Sequence, residues 1–211
     1  MTTRYDAIVL AGGRSSRMAG RAKAQLRVGD ATMLEHVLGA LHGAMTRVVV
    51  GPPQSALDGV LVVQEQPAGS GPVAGLAAGL AHLSSDVVVV VAADLPFLTR
   101  ELIEELVAGL DETVDVVLSV DDNGRDQYLL GAWRVDRLNT ALTQLEPLPG
   151  RAMKELLRAL RVSRAQLSAP SDSPAPWTDI DTPADLARAR DAVQAHFAHS
   201  PENVRSARPQ K

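Results

Sequence analysis

The sequence predicts an α/β sandwich built on a mostly parallel sheet, and three observations carry that expectation. Short Val/Ile/Leu runs alternate with helical patterns along the chain. One run, Val87 to Val91 followed by Ala92 and Ala93, shows no polar alternation, which is how a central parallel strand covered on both faces reads. A chain of 211 residues, 45% apolar and 22% charged, is one large domain or two small ones and can bury a substantial core.

The elements follow in order. A first strand is expected over 5–11 and runs straight into Gly12 and Gly13. Thr32 and Glu35 stand at capping-box spacing and open a helix reaching about Gly43. Strands are expected over 46–51 and 60–64. Gly69, Gly71 and Gly75 in AGSGPVAGLAAGL then mark a turn and a helix start, with close helix–sheet packing the simplest reason for them. The Val-rich strand spans 86–93, and Thr99 can cap ELIEELVAGL behind it. Two more strands are expected over 114–120 and near 128–133. QLSAPSDSPAP (166–176) is a Pro/Ser loop, and Thr182 with Pro183 starts the helix ADLARARDAVQAHF. A single domain is expected over 1–197, with the polar residues 198–211 a disordered tail.

Composition excludes several classes. With no cysteine there are no disulfides and no thiolate metal sites, which fits a reducing compartment. No stretch approaches the ~20 apolar residues that span a bilayer. MTTRYDAIVL enters a strand without the regions of a signal peptide, so a cytoplasmic protein with no membrane partner is expected. A net charge of −4 and a pI near 5.7 argue against nucleic acid as a partner.

The chemistry concentrates at strand ends. In an open parallel sheet, ligands bind beyond the carboxyl ends of the strands. The first strand ends at Leu10 and Ala11 and delivers Gly12 and Gly13. Arg14, Arg17, Arg21, Lys23 and Arg27 follow with no acid among them. Glycines let backbone approach a ligand, and backbone amides with Arg and Lys suit phosphate oxygens, so this loop reads as a polyphosphate site. The bland alternative is a tight turn with solvated arginines. The spacing matches neither a Walker loop nor GxGxxG.

The Val-rich strand delivers Asp94, then Leu95 and Pro96. An aspartate there suits a metal held between carboxylate and phosphates, or simply caps the turn. Asp179 and Asp181 alternate along an extended segment and share one face; their alternative role is electrostatic service to the next helix. Glu65 ends another strand and could accept hydrogen bonds from a base edge. Arg125 and Arg151 are lone basic residues near loops, and Trp133 reads as core. None of the five histidines has metal-ligand or triad spacing.

LAGGRSSRMAGRAK (10–23) resembles the loop LAGGxSxRMGxxDK of the nucleotidyltransferases, and most closely that of the MobA-like family of molybdenum cofactor guanylyltransferases. EQPAGSGPVAGL (65–76), VVAADLPFL (90–98) and DIDTPADL (179–186) follow in that family's order. The resemblance covers roughly residues 4–190. It implies a Rossmann-like three-layer α/β fold, Mg²⁺ as cofactor, and transfer of GMP from GTP to the phosphate of molybdopterin with release of pyrophosphate. It implies that Leu10, Ala11, Gly12 and Gly13 hug the nucleotide, that Arg17 and Lys23 neutralise the triphosphate, and that Asp94 binds the metal. Glu65, Gly71 and Gly75 fall in nucleotide-binding blocks. Asp181, with Asp179 beside it, matches a motif written NVNTP in some relatives and falls near metal or acceptor. Arg151 lies where relatives keep a functional arginine. Molybdoenzymes or other cofactor-biosynthesis proteins are the implied protein partners.

One position departs: the family's DK pair reads Ala22-Lys23 here. The segment RDQYLLGAWR, where relatives contact the acceptor, also differs. A molybdopterin cytidylyltransferase is the nearest rival, although such relatives usually read LAAG where this chain reads LAGG. The pattern is also compatible with another small-molecule nucleotidyltransferase, or with a nucleotide-binding carrier or regulator that has lost catalysis.

Overall fold

The structure is a computed structural model and describes residues 3–12, 23–54, 57–166 and 174–199. In chain order the elements are β1 (Asp6–Leu10), β2 (Arg27–Val28), β3 (Ala31–Thr32), α1 (Met33–Ala40), β4 (Arg47–Val50), β5 (Leu61–Val63) and α2 (Pro72–Leu80). There follow β6 (Val87–Ala92), α3 (Arg100–Ala108), β7 (Val116–Val120), β8 (Asp126–Arg134), α4 (Val135–Leu145), α5 (Met153–Leu156), β9 (Val162–Gln166) and α6 (Pro183–His199). Among the described residues the strands form a seven-stranded sheet in the order β5–β4–β1–β6–β8–β7–β9 and a small hairpin, β2–β3.

Every pairing in the large sheet is parallel except those of β8, which runs antiparallel to both β6 and β7. The physical reason is the connection. Residues 121–125 are too few for a crossover helix, so β8 must return as a hairpin. Asp121 closes that turn by accepting the Asn123 and Arg125 N–H groups, each at 2.9 Å. Side chains alternate cleanly between the two faces of the sheet. Ala7 and Val9 of β1, with Val87, Val89 and Val91 of β6, pack under α1 and α3. Ile8, Leu10, Val88 and Val90 pack under α2, α4 and α5 with the fully buried Trp133. The result is the three-layer, Rossmann-like sandwich with a mostly parallel sheet that the sequence predicts.

Capping matches expectation in the same way. Glu35 N–H donates to Thr32 Oγ1 at 3.2 Å and Thr32 N–H to Glu35 Oε2 at 2.6 Å, completing the capping box. The helix ends at Ala40, a turn earlier than expected. Several elements lie outside the sequence expectation, among them α4, whose Leu138, Ala141 and Leu142 stand at helical spacing, and the edge strand β9, whose VSRAQ has no apolar run. α6 packs Leu186 and Ala189 on Val28, Met33 and Ile180, clamping the β2–β3 hairpin. It runs to His199, just past the expected domain limit at 197; residues 200–211, most of the expected tail, lie outside the described residues.

Candidate active site

The site is built where the strand ladder runs out. Ala11 N–H donates to the Val50 carbonyl at 2.8 Å, and Ala93 N–H to that of Leu10 at 3.1 Å. These bonds carry the sheet one step past β1 and β6 and deliver Gly12 and Asp94 side by side at its carboxyl edge. Gly51, after β4, lies against the same backbone. A Cβ there would stand 2.9 Å from the Ala11 carbonyl carbon and 3.0 Å from the Gly12 nitrogen.

A cleft of about 860 Å³ opens above this edge, within the usual size of a small-molecule site. Leu10, Gly12 and Val50 form its floor, Glu65 and the 68–72 turn one wall, Leu129 and Pro149–Gly150 another. Glu65 is nearly buried, and its Oε1 accepts the Gly69 N–H at 2.8 Å. α2 starts at this wall from Gly71, whose φ of +97° disfavours any other residue, with Pro72 in its first turn and no side-chain cap. Gly75 presses on Leu10 and Val50, each 3.4 Å from where a Cβ would be. The packing reason for that glycine holds, and it lines the cleft as well.

A second cavity, about 920 Å³, lies over the β7–β8 turn and is lined by residues 121–128, Arg164, Trp177 and Asp179. Arg164 grips Asp126 through two hydrogen bonds of 2.6 and 2.9 Å. Successive residues of β8 face different cavities, Tyr128 this one and Leu129 the first.

The charged centre comes from three distant segments. Lys23 heads a short 3-10 turn before β2, Asp94 follows β6, and Asp181 precedes α6. The Lys23 ammonium donates to Asp94 and, at 2.6 Å, to Asp181. Burial works to lower the Lys23 pKa. The charge of Asp94 and the hydrogen bonds to Asp181 and Asp94 outweigh it, and the net shift is upward. Asp179 is open to solvent at the rim, yet desolvation, followed by the charges of Asp181 and Asp94, raises its pKa. The backbone reinforces the arrangement, since Ile180 N–H donates to the Asp94 carbonyl at 3.3 Å. Ile180 itself is buried, so Asp179 and Asp181 do share the opposite face.

Asp94 and Asp181 both reach one cation, and their hard oxygen donors suit magnesium. Among the described residues no three His, Cys, Asp or Glu side chains form an all-protein metal cage.

The structure thus brings together Leu10, Gly12, Glu65, Gly71 and Gly75 around one cleft, with Ala11 in its floor strand, and joins Lys23, Asp94 and Asp181 beside it. Gly13, Arg17 and Ala22 lie outside the described residues. Arg151 is held by its own neighbours in sequence. It follows Gly150 on the first cleft's wall, with Nε donating to the Pro147 carbonyl at 3.1 Å and Nη1 to Glu155 at 3.2 Å. Arg125 lines the second cavity. Sequence reasoning missed Gly51, Tyr128, Trp177 and the Pro149–Gly150 wall, which only pairing and packing reveal. It also missed Asp185, whose Oδ2 accepts Asp181 N–H at 3.1 Å and Thr182 N–H at 2.7 Å and so shapes the Asp181 turn. Thr182 and Asp185 stand at capping-box spacing, the local signal that points to this role.

The family model of the MobA-like NTP transferase domain matches residues 7–167. The chain belongs to this family. Its members' shared activity makes it a nucleotidyltransferase. The molybdenum cofactor guanylyltransferase of Rhodobacter capsulatus is 32% identical over 200 residues, covering 90% of this chain and 97% of the relative. A probable molybdenum cofactor guanylyltransferase of Mycobacterium marinum is 38% identical over 189 residues, covering 85% and 90%. Among solved structures, molybdopterin-guanine dinucleotide biosynthesis protein A from Archaeoglobus fulgidus superposes with a TM-score of 0.70 at 23% identity, covering 90% of this chain and 99% of that one. The 2-C-methyl-D-erythritol 4-phosphate cytidylyltransferase of Thermus thermophilus gives 0.68 at 20% identity, covering 91% and 100%. At these identities the structures show a common fold. Among the described residues no helix of this nucleotidyltransferase is long and apolar enough to cross a membrane.

Proposed function

We propose that the protein transfers GMP from GTP to the terminal phosphate of molybdopterin, releasing pyrophosphate and forming the guanine dinucleotide cofactor. The observation that carries this reading is the convergence of Lys23, Asp94 and Asp181 beside a glycine-walled cleft of nucleotide size. The relatives named molybdenum cofactor guanylyltransferase support the choice of nucleotide and acceptor. The guanine base would lie in the first cleft, where Glu65 can accept from the ring N–H and amino group of its edge. The acceptor would approach from the second cavity, past Asp179.

The chemistry needs no general base. A phosphate monoester has its second pKa near ~6, so the acceptor oxygen is already anionic at neutral pH. That oxygen forms a bond to the α-phosphorus, the bond to the bridging oxygen breaks, and pyrophosphate leaves with the electron pair. The protein's part is to hold two repelling anions in line and stabilise charge on the leaving group. The Lys23 ammonium can do this from its place beside Asp94, with Arg17 a second cation in the same loop. Magnesium bound by Asp94 and Asp181 would supply Lewis-acid neutralisation of the phosphate oxygens.

The test is pyrophosphate release with GTP, CTP or ATP, each with and without molybdopterin and Mg²⁺. Release with GTP that requires both is expected. Release with CTP alone would replace the guanylyl assignment, and GTP binding without release would leave a carrier.

A further inference from the structure

Lys23 occupies the point at which a divalent cation shared by Asp94 and Asp181 would sit, since its ammonium donates to both carboxylates. We infer that Lys23 is a place-holding cation. In the nucleotide-free protein it neutralises the two aspartates and keeps metal off them, and it releases them only when a polyphosphate offers its ammonium another anion. The inference rests on the nucleotide-site reading above, but its test does not.

The geometry identifies which partner moves. Asp94 is tied through its carbonyl to Ile180, and the backbone of Asp181 through its N–H to Asp185, so both carboxylates hang on anchored turns. The lysine charge sits at the end of a flexible four-carbon stem. The Lys23 and Asp94 side chains are only 17% and 23% exposed, so the attraction is little screened by water and salt. Departure of the ammonium alone would leave the little-exposed Asp94 carboxylate facing the more open Asp181 and Asp179 without that cation. Its exit therefore has to be an exchange, cation for cation. Metal and polyphosphate then bind with positive coupling, and the coupling is reciprocal.

The experiment is a Mn²⁺ titration of the full chain without nucleotide, followed by electron paramagnetic resonance of the free ion. Removing the competing ammonium in Lys23→Met should tighten Mn²⁺ binding about tenfold, the scale of one charge-assisted hydrogen bond. Lys23→Arg, which keeps a cation on the carboxylates, should stay as weak as the parent. Adding Asp94→Asn to Lys23→Met should abolish the gain. Lys23→Gln serves as a second neutral variant, and circular dichroism checks folding. Equal Mn²⁺ affinity in the parent and both neutral variants overturns the proposal, as does a gain that survives Asp94→Asn. Failure of the functional reading looks different: no pyrophosphate release with any nucleotide, while the Mn²⁺ gain remains.

Discussion

Replacing Gly51 by alanine should damage the nucleotide cleft from beneath, by displacing the backbone of its floor. Gly51 has φ = +156° and follows the last residue of β4. An added Cβ would stand 2.9 Å from the Ala11 carbonyl carbon, 3.0 Å from the Gly12 nitrogen and 3.1 Å from the Ala11 oxygen. All three are backbone atoms in the segment that leads from β1 into the cleft, so no flexible side chain can swing away. An unfavourable φ costs about 1–3 kcal/mol, and overpacking a tight contact costs about the same again. Part of this is relieved if Ala11–Gly12 shifts, which leaves a net loss of about 3 kcal/mol. In a domain of this size that lowers the melting temperature by about 6–12 °C. The relieving shift also raises the cleft floor, so KM for GTP should rise several-fold while kcat changes less. Differential scanning fluorimetry and initial-rate kinetics measure the two effects. A variant that melts within about 1 °C of the parent and keeps its KM would refute the close approach of the β1 and β4 loops.

Other substitutions probe the remaining parts. Lys23→Ala and Asp94→Ala should each cut turnover by orders of magnitude while the far-ultraviolet circular dichroism stays that of the parent; near-normal turnover removes that residue from the mechanism. Glu65→Gln keeps the acceptor for the Gly69 N–H but loses the carboxylate facing the cleft. KM for GTP should therefore rise by about tenfold, the scale of one charge-assisted bond, and preference over ATP should fall. Asp6, the first residue of β1, is fully buried and accepts N–H groups from Thr46, Ser84 and Ser85 at 2.8–2.9 Å. Desolvation pushes its pKa up, but the bonds from Ser85 and Ser84 prevail and hold it below the ordinary aspartate range. A depressed folded-state pKa contributes stability above the unfolded value and loses it as pH falls through the folded one. The destabilisation caused by Asp6→Asn should therefore be greatest near neutrality and shrink below about pH 4, as urea unfolding at several pH values would record. A constant difference across that range would contradict the buried anion.

Much of this architecture is legible in local pattern. Val87–Val91, apolar on every position, reads as a strand covered on both faces, and β6 lies at the centre of the sheet. Thr32 and Glu35 form their capping box because both bonds close within one turn. Gly75 belongs to helix–sheet packing, as its glycine-rich setting suggests, and its place on the cleft wall follows from the same contact. β8 shows the boundary of such reading. Its apolar residues announce a strand, but its direction depends on a hairpin turn and its neighbours on which edge of β6 was free. β9 announces nothing, because an edge strand has no need of an apolar run.

The cluster at the catalytic edge divides the same way. Residue types and order along the chain, with glycines after β1, an aspartate after β6 and paired aspartates before α6, already point to polyphosphate chemistry, because each type has its own affinity for anions or metals. That the Lys23 ammonium lies between Asp94 and Asp181 could not be read from the sequence. Those side chains are separated by 71 and 158 positions, and only the parallel ladder, the Ile180–Asp94 backbone bond and the packing of α6 on the β2–β3 hairpin bring them within reach. Contacts so remote in sequence are products of assembly, which no local propensity encodes. Assembly likewise places Pro149 and Gly150, just before Arg151, on the wall of the first cleft.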